Sequence, residues 1–392
     1  MTRRRGRVAI VVLDGLGIGA CPDQDRYGDA GSDTLGNVAR AVGGLELPYL
    51  AALGLGCCRP VAGLSCAHPT AAAGVALPRS PGKDSTTGHW ELCGVVLREA
   101  FPTYPAGFPA AVIDAFASAT GRGVLANKPA SGTAVIEEYG ARHLASGDWI
   151  VYTSADSVFQ VAAHEDVVPL DALYAACRTA RAQLTGAHGV SRVIARPFVG
   201  TPGSFRRTPH RRDFSLAPPA ATLLDQLAAA GVPRVGVGKV DDLFAGRHIT
   251  SRHTATNAEA YALIAEALGT MDEGFLFVNV IEFDQSWGHR NDVVGFHEGL
   301  QALDRALPEL VGLLRPDDLL ILTADHGNDP TTPSTDHSRE AVPVLVVGPR
   351  VTPVALGTRA FADVGATVAD YFSVTVPAGT SLLAEVAPWT MR

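Results

Sequence analysis

At 392 residues, with 47% hydrophobic and 18% charged side chains, the chain reads as globular and long enough for two compact units. Its formal net charge of −8 excludes a general nucleic-acid or membrane-surface binder, and an anionic substrate would need a local basic pocket. No apolar run approaches the length of a transmembrane helix, and the six cysteines (Cys21, Cys57, Cys58, Cys66, Cys93, Cys177) lack metal-type spacing, so they read as free thiols in a reducing cytoplasm.

The first predicted element is a strand over 7–13. Basic residues precede it in a signal-like way, but Asp14 interrupts the apolar run and a glycine-rich turn follows, so a first core strand is expected. Asp14, placed directly after a buried strand, suits a ligand, a cap or a turn former. Asp33 then begins a helix that runs to Val42, which sets a strand–helix rhythm. Residues 55–83 are rich in Gly, Ala and Pro and show no periodicity. Helix-starting chemistry returns at Lys83-Asp84-Ser85-Thr86-Thr87-Gly88. Ser85 at a helix N-terminus would suit a phosphate, whereas local evidence alone favours a plain cap at Asp84 or Ser85.

From about Ala100 the texture changes. A helix is expected over 109–119, a strand over 150–153, a helix over 170–184 and a strand over 190–199, ending in turn-rich residues 200–209 that read as a linker. These place an inserted α+β domain at 101–216, between core segments 1–100 and 217–392. The basic cluster Arg206, Arg207, His210, Arg211 and Arg212 at the junction reads as a solvated face, with a phosphate-binding wall as the other reading.

The rhythm resumes with a helix over 220–230, a strand over 235–238 ending at Lys239, a helix over 257–268 and a strand over 275–281. That strand leads into Glu282-Phe283-Asp284 and on to His289. A helix over 293–314 carries His297 as an ordinary helix residue. A strand over 317–322 then hands the chain to Asp325 and His326, and the loop beyond them ends at His337. A strand over 341–347 and a helix over 361–372 close the chain. One loop holding two imidazoles and several carboxylates suits a divalent metal such as Zn or Mn, the alternative being a polar surface loop with capping aspartates.

Taken together, Asp14, Asp284 and Asp325 each stand just beyond a predicted parallel strand, where open α/β sheets place their chemistry. With His289, His326, His337 and the Ser85 hydroxyl they form a complement for two metals and a nucleophile.

The stretches LDGLGIGACPDQDRYGDAGSDTLGN, GKDSTTGHWELCG, YTSADSVFQVAAHE, ARPFVG, RRDFSL, FDQSWGHR, TADHGNDP and TDHSRE resemble the phosphopentomutases of the alkaline phosphatase superfamily, nearly end to end. The resemblance implies an α/β core with a mostly parallel sheet flanked by helices, an inserted cap domain and two manganese ions. One ion would be held by Asp284, His289 and His337, the other by Asp14, Asp325 and His326, with Ser85 as nucleophile. Ser154, Asp156 and Arg211 would touch the sugar, Arg212 lies in the same segment, and Lys239 would meet a phosphate. The implied activity interconverts (deoxy)ribose 1-phosphate and 5-phosphate through a phospho-Ser85 enzyme, primed by a sugar bisphosphate, with the cap excluding water. A small sugar phosphate is the implied partner, with no nucleic acid or membrane, and the oligomeric state, monomer included, stays open.

The sequence departs from that pattern where the family has threonine at Ser85, Asp-Ser-Phe-Gly at Asp14 to Gly17, aspartate at Glu282 and histidine at Arg212. These departures keep open a mutase for another pentose and a metal-dependent phosphatase. A silent metal sensor is disfavoured by the full ligand set, and a phosphoglycerate mutase by Lys83-Asp84 ahead of the serine.

Overall fold

A computed structural model describes residues 6–154 and 156–391. The chain divides into two compact units, Met1–Glu99 with Pro218–Arg392, and Ala100–Ala217. The first unit contributes β1 (Arg7–Leu13) and β2 (Ala72–Leu77) before the insertion. The inserted unit holds β3 (Val124–Pro129), β4 (Trp149–Thr153), β5 (Val158–His164), β6 (Arg192–Val199), β7 (Arg206–Arg207) and β8 (Arg212–Ser215). After it come β9 (Arg234–Val237), β10 (Ser251–Arg252), β11 (Gly274–Val280), β12 (Leu319–Thr323), β13 (Val342–Val347) and β14 (Ala355–Ala360).

The first unit is built on one sheet of order β10-β9-β11-β1-β12-β13-β2-β14. Only β13 is antiparallel to its neighbours, so the sheet is mostly parallel, as expected. β1 sits in the middle because RVAIVVL is apolar beyond its first residue, and a strand covered by helices on both faces needs such a run. Its register sets Leu13 opposite Val280 and Val12 opposite Thr323, so β1, β11 and β12 finish at one level. Asp14, the short helical turn Phe283–Trp287 and Asp325 therefore emerge side by side.

Asp84 caps the helix Ser85–Leu92 through its side chain to the Thr87 amide at 3.0 Å, which makes Ser85 the first helical residue. All eight residues of that helix are buried. Gly88 permits this closeness, because a Cβ there would stand 2.2 Å from the Asp325 carbonyl.

The inserted unit has its own sheet, β3-β4-β5-β6-β7 with β8 also on β6. Phe116, Trp149, Phe159 and Leu173 pack one of its cores, and Val135, Ile136, Ile150 and Phe198 the other.

Several expectations need correction. Residues 200–209 are not a linker: Phe198 pairs with Arg207 and Val199 with Arg206, so the chain turns back onto β6. Strands β2 and β14 were not anticipated. The helix expected over 220–230 is Leu223–Ala229, because Asp225 reaches back to the Thr222 amide at 2.7 Å and fixes its start. Nor are all cysteines free, since Cys57 and Cys66 are disulfide-bonded across a turn that brings their Cα atoms to 4.9 Å. Cys21, Cys58, Cys93 and Cys177 remain thiols. Residues 1–5, including the basic stretch before β1, lie outside the described residues. Among those described, no helix is long and apolar enough to cross a membrane.

Candidate metal centre and nucleophile

The strand ends gather two groups of ligands. Asp284, His289 and His337 form one, Asp14, Asp325 and His326 the other, with the donor atoms of each group within 4.8 Å of one another. The groups adjoin, because the His326 and His337 rings stand 4.2 Å apart between centroids. His289 and His337 both turn Nε2 to Asp284, at 3.4 and 3.3 Å. His326 Nε2 lies 3.4 Å from Asp14 and 3.5 Å from Asp325.

The second nitrogens explain these orientations. His289 Nδ1 sits 2.6 Å from the Thr335 carbonyl and His326 Nδ1 3.0 Å from that of Gly327. A carbonyl accepts only from N–H, so each Nδ1 keeps its proton and each Nε2 is the atom a cation would take, displacing any proton it carries.

Imidazole and carboxylate donors in this mixture fit a transition-metal dication. Buried charge supplies a second sign: Asp325 Oδ2 accepts no hydrogen bond, although ring nitrogens of His89 and His326 stand 3.1 and 3.5 Å away. The His89 nitrogen is already 2.9 Å from the Ser85 carbonyl. A buried carboxylate oxygen left without a donor is costly unless a cation meets it.

Ser85 Oγ faces this centre. It lies 3.3 Å from Asp14 Oδ1, 3.1 Å from His326 Nε2 and 3.3 Å from Lys239 Nζ. Lys239 follows β9 and also sets its ammonium 2.7 Å from Asp14 Oδ2. Burial pushes the Asp14 carboxyl up, but Lys239 and His326 outweigh it and hold the group well below the usual carboxylate range. For Asp284 burial is likewise outweighed, here by His337 and His289. Burial pulls the His326 imidazole down, yet Asp325, Asp14 and Asp284 overcome it and push the group up to about 10. Burial also works against the Lys239 ammonium, and Asp14 and Asp284 raise it again. The pocket is thus a sink for positive charge.

Three supporting residues were not singled out from the sequence. His89, fully buried, sets its Nδ1 2.9 Å from the Ser85 carbonyl and 3.1 Å from Asp325 Oδ2. Asn328 donates to Asp284 Oδ1 at 2.8 Å. Arg339, two residues past His337, donates to the carbonyls of Ser80 and Gly82 at 2.6 Å each and to that of Pro78 at 3.0 Å, which fixes the loop ahead of Ser85. Only the position of Arg339 next to a ligand offered a signal for it.

The remaining expected site residues lie in the inserted unit. Ser154 and Asp156 follow β4, and Arg211 forks onto Asp213 with two contacts of 2.7 Å. Arg192, also unanticipated, lies 3.8 Å from Asp156 and 3.6 Å from Asp213. Arg212 does not join them. As the first residue of β8 it lies over the rings of Tyr174 and Phe214, at 5.5 and 5.6 Å.

Comparison with known proteins agrees with this architecture. The Metalloenzyme superfamily profile matches residues 6–376. A phosphopentomutase of Anaeromyxobacter dehalogenans is 57% identical over 384 residues, covering 97% of this chain and 99% of the relative. One from Carboxydothermus hydrogenoformans is 52% identical over 384 residues, with the same coverage of 97% and 99%. A solved protein of Pyrococcus horikoshii shares the fold at TM-score 0.50 and 14% identity, over 96% of this chain and all of its own. Similarity of this extent, joined to a complete set of metal-type ligands at the strand ends, makes the chain a member of the phosphopentomutase family within the alkaline-phosphatase-like metalloenzyme superfamily.

Proposed function

We propose that the chain is a metal-dependent phosphomutase of pentose phosphates, interconverting ribose or 2-deoxyribose 1-phosphate and 5-phosphate, with Ser85 carrying the phosphoryl group between sugars. The observation that carries this reading is the placement of Ser85 Oγ within 3.3 Å of Asp14, His326 and Lys239, at the first turn of a capped helix. On this reading Asp284, His289 and His337 hold one Mn2+ and Asp14, Asp325 and His326 the other. When bound, such a pair supplies positive charge that favours the Ser85 alkoxide and offsets charge on the phosphoryl oxygens.

The chain's own groups act on the same oxygen. Lys239 brings an ammonium to it, and the helix Ser85–Leu92 turns its N-terminal amides and dipole toward an anion at its start. In the transfer, the bond from phosphorus to Ser85 Oγ breaks as one forms to the free hydroxyl of a sugar monophosphate, whose proton leaves to solvent. The resulting bisphosphate reverses, Ser85 takes its other phosphoryl group, and the isomer departs. A sugar bisphosphate would prime an unphosphorylated chain by the second half of that cycle. Ser154, Asp156 and Arg211 are assigned to the sugar.

Water is the competing acceptor, and serine lacks the β-methyl that would stiffen the carrier and crowd water out. Product analysis on a panel of sugar 1-phosphates with Mn2+ and a bisphosphate tests the reading. Isomer formed without matching phosphate release supports the mutase. Inorganic phosphate appearing mole for mole with substrate loss overturns it in favour of a phosphatase.

A further inference from the structure

Lys83 stands two residues ahead of Ser85, in the loop that joins β2 to the helix Ser85–Leu92, and the proposed transfer gives it no part. Its ammonium lies between two carboxylates, 2.9 Å from Asp29 Oδ1 and 3.2 Å from Asp336 Oδ2. Asp29 is buried, and Lys83 and Asp336 are partly so. A buried carboxylate is costly unless its oxygens meet donors or a cation, and Lys83 serves one oxygen of each aspartate.

The other oxygen of each aspartate holds the loop that carries His337. Asp336 Oδ1 accepts the His337 amide at 2.9 Å, and Asp29 Oδ2 accepts the Arg339 amide at 2.8 Å. Between them the Ser338 amide donates to the Gly327 carbonyl at 2.7 Å, one residue past His326. Three consecutive amides are therefore fixed, two of them through carboxylates that share Lys83. In return, the Arg339 side chain donates to the carbonyls of Ser80 and Gly82, so the two loops are stitched together in both directions.

We infer that Lys83 is a positioning residue: through Asp29 and Asp336 it locks the loop bearing His337 to the loop that presents Ser85, and so sets the distance from the phosphoryl carrier to the metal centre. The roles of Ser85 and His337 rest on the proposed function; the clamp itself does not. Lysine suits the task because one compact ammonium with three donors satisfies two carboxylates at once. A neutral side chain at position 83 would leave Asp29 and Asp336 facing each other with no cation between them.

Calorimetric titration of Mn2+ into the metal-stripped full-length chain, with steady-state kinetics on a sugar 1-phosphate, tests the clamp. The variants are Lys83→Met, Lys83→Arg, Asp336→Asn and the double variant Lys83→Met with Asp336→Asn, each checked for folding by circular dichroism. Asp336→Asn retains an oxygen for the His337 amide but turns an NH2 group toward Lys83, so it breaks the clamp even where Lys83→Met does not fold. Losing a group that orients a metal ligand costs about tenfold to a hundredfold in metal affinity. Lys83→Met and Asp336→Asn should each weaken one of the two Mn2+ sites by about tenfold or more, lower kcat in step and leave the KM for the sugar phosphate within about twofold. Lys83→Arg should recover part of the loss, and the double variant should lose little beyond either single one, because both cut the same link. Wild-type Mn2+ affinity at both sites in folded Lys83→Met or Asp336→Asn, or additive losses in the double variant, overturns the clamp. A raised KM with kcat and Mn2+ affinity unchanged also overturns it, and puts Lys83 on the substrate phosphate instead. Lys83-dependent Mn2+ binding in a chain inactive as a mutase would defeat the proposed function alone.

Discussion

Lys239 holds its ammonium 2.7 Å from Asp14 Oδ2 while the same nitrogen stands 3.3 Å from Ser85 Oγ. One side chain thus couples a proposed metal ligand to the proposed phosphoryl carrier. Replacement by the uncharged Lys239→Met should leave the fold intact and lower kcat by roughly a hundredfold or more, the usual cost of removing one charge-stabilising donor from an active site. Steady-state kinetics at saturating Mn2+ check this. Unchanged kcat would remove Lys239 from the reaction.

Metal removal should destabilise the first unit. Asp14, Asp284 and Asp325 are buried together, and a cation bound only by the folded chain stabilises it by mass action, about 2.7 kcal/mol at a hundred times its Kd. Thermal melts should therefore shift upward with Mn2+ and downward with EDTA. Elemental analysis should find two metal equivalents in wild type and one in Asp284→Asn. Two retained equivalents in that variant would refute the ligand assignment.

Gly88 is the point where the Ser85 helix meets the loop that follows β12. Since a Cβ there would stand 2.2 Å from backbone oxygen of Asp325, Gly88→Ala must push the two apart. Overpacking of this kind costs about 1–3 kcal/mol. Urea unfolding should show that loss, and turnover should fall with it because Ser85 moves relative to Asp14. Wild-type stability and rate together would contradict the close packing.

The inserted unit carries its own pH dependence. His143 Nε2 accepts the His164 amide at 2.9 Å while its Nδ1 lies 2.6 Å from the Asp148 carbonyl, an arrangement only the neutral ring satisfies. Burial, with His164 and Arg122 adding to it, holds this imidazole below its ordinary 6.5. The unfolded chain therefore binds the extra proton first, so the stabilisation is complete above 6.5 and is lost as pH falls through the lower folded value. Urea unfolding at about pH 7.5 and about pH 5 should show the decline in wild type and a smaller one in His143→Gln. Equal declines would assign the effect elsewhere.

The strands that end at Asp14, Asp284 and Asp325 were legible because each is an apolar run followed by an abrupt carboxylate. Their convergence was legible too, since parallel strands release their chains at one edge. By contrast, β2 (AAGVAL) is made mostly of small residues and β14 (ALGTRA) is an edge strand with polar positions, so neither gives a clear period. The Cys57–Cys66 pair depends on a turn that spacing alone does not reveal.

Supporting residues were hidden for the same reason. Glu340 accepts from the Gly19 and Thr34 amides at 3.1 and 2.8 Å, and from the Thr34 and Ser338 hydroxyls at 2.7 Å each. It braces the turn at Gly19 and the start of the helix Thr34–Ala41, both far from it in the chain, against its own loop at Ser338. Gly17 and Gly327 lie so close to it that a Cβ on either would come within 2.2 or 2.3 Å of its carboxylate oxygens. Such a role follows from tertiary proximity, and nothing local to Glu340 announces it.

The most direct measurement is mass spectrometry of wild type and Ser85→Ala after incubation with Mn2+ and a sugar bisphosphate, alongside turnover and metal content. A single phosphoryl group localised to Ser85 in wild type is expected, and none in the variant, which should be inactive while keeping both metals. Turnover by Ser85→Ala with its metals bound, or phosphate carried on another residue, would contradict the account.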